Sequence, residues 1–94
     1  MEKLDLVEIT GPSCGVCKMI KRIVEKVVSE FPKDRLNYRE ICVQDDESMA
    51  FAAKHNVRSV PVFLFLDGDR LLTRHDGAIN YNELKRKIQE NLDK

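Results

Sequence analysis

Cys14 and Cys17 are the residues whose type and spacing could do chemistry in this chain. They lie three positions apart in Gly11-Pro12-Ser13-Cys14-Gly15-Val16-Cys17-Lys18. An apolar strand pattern (4–9) precedes them and a long amphipathic helix pattern (16–31) follows. Cys14 is therefore expected at or beside a helix N-terminus, where unpaired backbone N–H groups and the helix dipole favour an anion. For a cysteine that anion is the thiolate, the reactive form. A second thiol one helical turn later can close on it, so the pair is read as a dithiol–disulfide site.

The same two cysteines could instead form half of a zinc site, but zinc needs two further ligands. Cys42, His55 and His75 are the remaining candidates, and none is paired at ligand spacing. An iron–sulfur role is a further alternative of the same kind. Three cysteines make an odd set and a poor disulfide framework, so a reducing compartment with one functional pair fits better and points to the cytoplasm.

Composition narrows the partners. The chain has 94 residues, 43% of them hydrophobic and 34% charged, which is the mix of one globular domain spanning residues 1–94. Sixteen basic and sixteen acidic residues cancel. No basic patch stands out for nucleic acid or an anionic membrane. The longest apolar run, 60–66, is far short of a membrane span, and Met1-Glu2-Lys3 leads straight into strand-like sequence without a signal-type apolar stretch. The chain is expected to be a monomer.

The elements that must position the cysteines follow from periodicity and punctuation. Residues 4–9 read as a strand stopped by Gly11-Pro12. Ile20, Ile23, Val24, Val27, Val28 and Phe31 share one helix face, and Pro32 ends it. Residues 36–43 read as a more polar, edge strand. Asp45 or Asp46 caps a short helix through 49–54, with Asn56 as a left-handed stop. Residues 62–66 lack polar alternation, as expected of a strand buried on both faces. Asp67-Gly68-Asp69 marks a hairpin turn into an antiparallel strand over 70–75. Asn80, with Glu83 three residues on, caps a last helix whose buried side is Tyr81, Leu84, Ile88 and Leu92. The order βαβαββα predicts an α/β domain, with a right-handed parallel crossover, then a hairpin and a helix. The result would be a four-stranded mixed sheet with helices on both faces.

With these residues in place, the chain resembles the thioredoxin family. Cys14-Gly15-Val16-Cys17-Lys18-Met19-Ile20 resembles the start of its active-site helix. Asn56-Val57-Arg58-Ser59-Val60-Pro61-Val62-Phe63 resembles the segment around its cis-proline, Asp67-Gly68 its hairpin turn, and Gly77-Ala78 its last loop. The matches keep family order from Leu4 to Leu92. The chain lacks the extra N-terminal strand and helix of full thioredoxins, and in size it is similar to glutaredoxins. Ser13 and Val16 stand where thioredoxins typically have tryptophan and proline.

The resemblance implies a thioredoxin fold and a protein-disulfide reductase that needs no bound cofactor and no metal. Cys14 would attack a disulfide in a protein substrate and Cys17 would resolve the mixed disulfide. Ser59, Val60 and Pro61, with Pro61 cis and facing the pair, would line the substrate groove with Asp76, Gly77 and Ala78. Electrons would come from a thioredoxin reductase or from glutathione. Glu8, six residues before Cys14, sits where thioredoxins typically carry a buried aspartate that helps deprotonate the resolving cysteine; on its own residues it reads equally as an exposed glutamate near a strand end. Val16 brings an N–H that proline lacks, which predicts a more acidic Cys14 and a more oxidising couple than with proline there. Cys42 is expected to be a small apolar filler or, near the end of its strand, a third redox thiol. Lys18 and Lys21 are expected as solvated helix residues, and His55 and His75 carry no clear role. Two other functions stay open: a glutaredoxin-like, glutathione-dependent reductase, whose Gly-Gly-x-Asp-like signature is not evident around Asp76-Gly77-Ala78, and a redox-inert or metal-binding adaptor that uses the same groove.

Overall fold

Alternation of apolar side chains decides how the layers assemble. In the computed structural model, which describes residues 3–94, β1 (Leu4–Thr10) is buried nearly throughout. Met1 and Glu2, and the expectation placed on them, lie outside the described residues. Leu4 and Leu6 point into a core with Ile20, Val24, Phe63, Phe65, Leu84 and Ile88. Val7 and Ile9 point the other way, into a second core with Val62, Leu64 and Leu66. Period-2 geometry puts Glu8 and Thr10 on the side of Leu4 and Leu6.

The elements are β1, α1 (Gly15–Ser29), β2 (Leu36–Cys42), α2 (Asp46–Lys54), β3 (Val62–Asp67), β4 (Arg70–Asp76) and α3 (Tyr81–Leu92). The strands form one mixed sheet in the order β2-β1-β3-β4. β1 pairs parallel with β2, with Leu6 opposite Tyr38 and Glu8 opposite Glu40. It pairs antiparallel with β3, with Glu8 opposite Phe63. Helices α1 and α3 cover the larger core and touch each other. Phe51 of α2 packs against the smaller core on the opposite face. This is the four-stranded mixed sheet with helices on both faces that the pattern predicts.

Caps fall where side-chain chemistry places them. Asp45, rather than Asp46, caps α2, accepting the Ser48 N–H at 2.8 Å. Asn80 caps α3 by accepting the Glu83 N–H at 2.8 Å. Asn56 is left-handed (φ 55°) after α2, as is Gly68 (φ 62°) in the β3–β4 turn. Three expectations shift. Helix α1 stops at Ser29, so Phe31 packs from the following turn, half-buried against the core. On the same helix Ile23 and Val28 are only half-buried. In α3 Tyr81 is only half-buried, and the buried stripe gains Asn91, 2% exposed, whose Nδ2 donates to the Lys87 carbonyl at 2.7 Å. Periodicity cannot find a polar residue that satisfies its donor within its own helix.

Candidate active site

β1 delivers the chain into Gly11–Ser13, a short turn that ends on Cys14 as the N-cap of α1. The cap geometry is extended (φ −88°, ψ 99°), and the capping acceptor is sulfur: Cys14 Sγ receives the Cys17 N–H at 3.1 Å. Cys14 and Cys17 are joined as a disulfide, with Cα atoms 5.3 Å apart. Cys17 is 8% exposed, whereas Cys14 is only half-buried. The donor to Sγ comes from the third helical position, Cys17, not from Val16 at the second. An N-cap side chain can reach either position, and here it reaches the third.

The loop before β3 forms the facing wall. The Val60–Pro61 peptide is cis and Pro61 is buried. A Cβ on Gly11 would lie 3.3 Å from Val60 Cγ2, so the absence of a side chain at 11 lets the two loops close on each other. Gly77, in the left-handed region (φ 98°), donates its N–H to the Pro61 carbonyl at 2.8 Å. The structure thus brings Cys14, Cys17, Val60, Pro61 and Gly77 to one end of the sheet. Ser59 is exposed beside them and lines a pocket of about 250 Å³ with Gly11, Val57, Arg58 and Val60. Val16 (40% exposed) and Met19 (74% exposed) add apolar surface on the helix side.

Asp76 and Ala78 are also at this end, but both are engaged. The Asp76 carboxylate takes two bonds from Arg74, at 2.8 and 2.9 Å, and this partner holds its carboxyl below the usual aspartate range. Arg74 also donates to the His55 carbonyl at 2.6 Å, tying the end of α2 to β4. His75, without a clear role on sequence grounds, has Nε2 2.8 Å from the Ala78 carbonyl.

Glu8 is buried, 1% exposed, which settles its two sequence readings against a surface position. Burial pushes its carboxyl up. A hydrogen bond from Tyr38 and the charge of Lys21 oppose that rise, and the charge of Glu40 adds to it. Sequence patterning missed Tyr38 and Glu40 as neighbours of Glu8. Only the in-register parallel pairing of β1 with β2 reveals them, and register is a property of the sheet. Cys42 is a half-buried free thiol. It shares a pocket of about 250 Å³ with Cys14, Cys17, Lys18 and Lys21. Among the described residues no group of three or more His, Cys, Asp or Glu side chains is placed to hold a metal ion.

A Cys-x-x-Cys disulfide capping a helix, with its outer cysteine half-exposed and its inner one covered, defines a thiol–disulfide exchange domain. The thioredoxin family model matches residues 1–90. Thioredoxin of Chlorobaculum thiosulfatiphilum is 24% identical over 97% of this chain and 82% of its own length. NADPH-dependent thioredoxin reductase 3 of Arabidopsis thaliana is 31% identical over 92% of the chain, matching 16% of that protein. The X-ray structure of Fasciola hepatica thioredoxin superposes with a TM-score of 0.77 at 28% identity, covering 96% of this chain and 82% of that one. The chain belongs to the thioredoxin family. It is a thiol–disulfide oxidoreductase that acts as a protein-disulfide reductase through Cys14 and Cys17.

Proposed function

We propose that this single-domain protein works as a monomer in the cytoplasm, reducing disulfides of protein substrates with electrons supplied by a thioredoxin reductase. The observation that carries the division of labour is the difference between the two sulfurs: Cys14 is the accessible cap and Cys17 the covered residue one turn inside. In the reduced protein the Cys14 thiolate attacks one sulfur of the target disulfide. A mixed disulfide forms and the first target thiolate leaves. Cys17 then gives its proton to the buried carboxylate of Glu8, and its thiolate attacks Cys14 Sγ. That step closes the Cys14–Cys17 disulfide and releases the second target thiolate, so two electrons have moved from the dithiol to the target. Ser59, Val60, Pro61, Asp76, Gly77 and Ala78 form the substrate groove. In it Ser59 and Val60 offer their backbone to an extended peptide, while the engaged Asp76 and Ala78 hold the shape of the floor.

Two observations support a reductase as donor. The family match extends over nearly the whole chain, and a relative named as a thioredoxin reductase contains a segment similar to it.

The deciding experiment follows turnover of a protein disulfide with NADPH and thioredoxin reductase, and in parallel with glutathione and its reductase. Faster turnover with thioredoxin reductase is expected, with no activity in Cys14→Ser and a trapped mixed disulfide in Cys17→Ser. Turnover surviving in Cys14→Ser overturns the mechanism; faster turnover with glutathione overturns the donor.

A further inference from the structure

The Glu8 carboxyl has one oxygen held and one free. Oε1 accepts the Tyr38 hydroxyl at 2.7 Å. Oε2 is buried without a hydrogen-bond partner among the described residues. Native interiors rarely leave such an atom, because an unmet polar group costs on the order of 1–3 kcal/mol. Its surroundings indicate what Oε2 faces. Glu8 lies on the sheet side covered by α1, and the Lys21 ammonium is close enough to act on its charge. Cys17 is one turn earlier than Lys21, on the same stripe of that helix. Thr10, two residues further along β1 on the same side, lines the pocket that contains Cys17 and Lys21.

We propose that Tyr38 is a positioning residue for the redox cycle: by holding Oε1 it presents Oε2 as the atom that takes the proton from the Cys17 thiol. This rests on the role given to Glu8 above. The transfer is a proton exchange only, from Cys17 Sγ to Glu8 Oε2. The electron pair left on Cys17 then forms the bond to Cys14 Sγ as the target thiolate departs.

Other groups facing the carboxyl do not offer this hold. On β2 the further neighbour is Glu40, whose charge opposes ionisation of Glu8; on α1 it is Lys21, which favours it. From β3 the opposite residue is Phe63, which has no polar atom. Glu25 of α1 acts on Tyr38 and not on Glu8. Tyr38 is suited to the task because burial, then its bond to Glu8, push its own ionisation far up. It remains a neutral donor at any pH where the protein works. Of the influences that favour the carboxylate, its hydrogen bond is the largest, ahead of Lys21.

The test compares wild type, Tyr38→Phe, Glu8→Gln and the double variant in single-turnover resolution of a mixed disulfide between Cys14 and a chromogenic thiol, across pH. Phenylalanine keeps the ring that packs against the larger core. Tyr38→Phe is expected to move the acidic limb of the profile to higher pH and to slow resolution near neutrality on the order of tenfold, the worth of one hydrogen bond to a charged group. Its rate should recover once the pH is high enough to ionise Glu8. Tyr38→Phe should add nothing in the Glu8→Gln background. A ¹³C-carboxyl titration of Glu8 should show the same upward displacement in Tyr38→Phe, a readout that loosened packing alone would not give. A wild-type profile and titration in Tyr38→Phe, with Glu8→Gln slow, overturns the assignment of Tyr38 and leaves Glu8 standing. An unslowed Glu8→Gln removes Glu8 and Tyr38 together.

Discussion

Sulfur is a weak acceptor as a thiol and a strong one as a thiolate, so the bond from Cys17 N–H to Cys14 Sγ gains most of its strength when the disulfide opens. Glu8 obeys the opposite logic, because burial favours its neutral form. A carboxyl whose folded pKa lies above its unfolded value of about 4.5 binds more protons in the folded state. Its contribution to stability is therefore complete below that unfolded value and is lost as pH rises through the folded one. Thermal unfolding of oxidised Glu8→Gln and wild type across pH should show the variant gaining on wild type as pH rises over that window. A constant difference at all pH values would mean that Glu8 is not held in the neutral form. At this scale the cysteine pair was fully legible, since a C-x-x-C motif at a strand–helix junction is a local feature. The burial of Glu8 was not, because flanking Val7 and Ile9 belong to the other face and say nothing about what covers position 8.

At the scale of elements, local chemistry announced nearly every boundary. Asp45 and Asn80 precede their helices with the side chains an N-cap requires, and Gly68 marks the hairpin by its backbone freedom. Asn80→Ala removes the acceptor of the Glu83 N–H and should cost about 1 kcal/mol. It should leave the redox equilibrium unchanged, because the bond lost joins Asn80 to Glu83 and involves neither cysteine; chemical denaturation and a redox titration check the two halves separately. What the sequence hid were contacts between elements. Tyr81 Oη donates to Glu30 Oε2 at 2.6 Å and Lys85 Nζ lies 3.1 Å from Glu30 Oε1, so the start of α3 is clasped to the end of α1. Arg74 joins β4 to the C-cap of α2 by donating to the His55 carbonyl. Each such pair is an ordinary surface charge when read along the chain. Only folding makes them partners, and their exposed settings keep each contribution small.

Across the whole molecule, stability rests on two unequal cores, one on each side of the sheet. Leu84 lies fully buried in the larger one, beneath α3. Leu84→Ala should destabilise by about 2–5 kcal/mol, the range for a leucine truncated to a cavity. That is a large part of the margin of a small domain, and an equilibrium urea titration measures it. Periodicity in residues 62–66 foretold that β3 would be covered on both faces. It could not foretell the slip in β3–β4 pairing between Phe65 and Leu66, because a bulge depends on both strands at once.

The central position of β1 also has a kinetic side. Its parallel partner β2 follows after one helix, but its antiparallel partner β3 comes from the second half of the chain, with Asp5 against Leu66 and Ile9 against Val62. Pairings this distant in sequence are slow to form, because a long loop must close before they return any energy. A chain emerging from the ribosome therefore exposes both thiols well before the loop carrying Val60 and Pro61 can meet them. The strand that leads to Cys14 makes the finished site a late product of folding, so a partly folded chain carries two ordinary thiols with no groove to direct them.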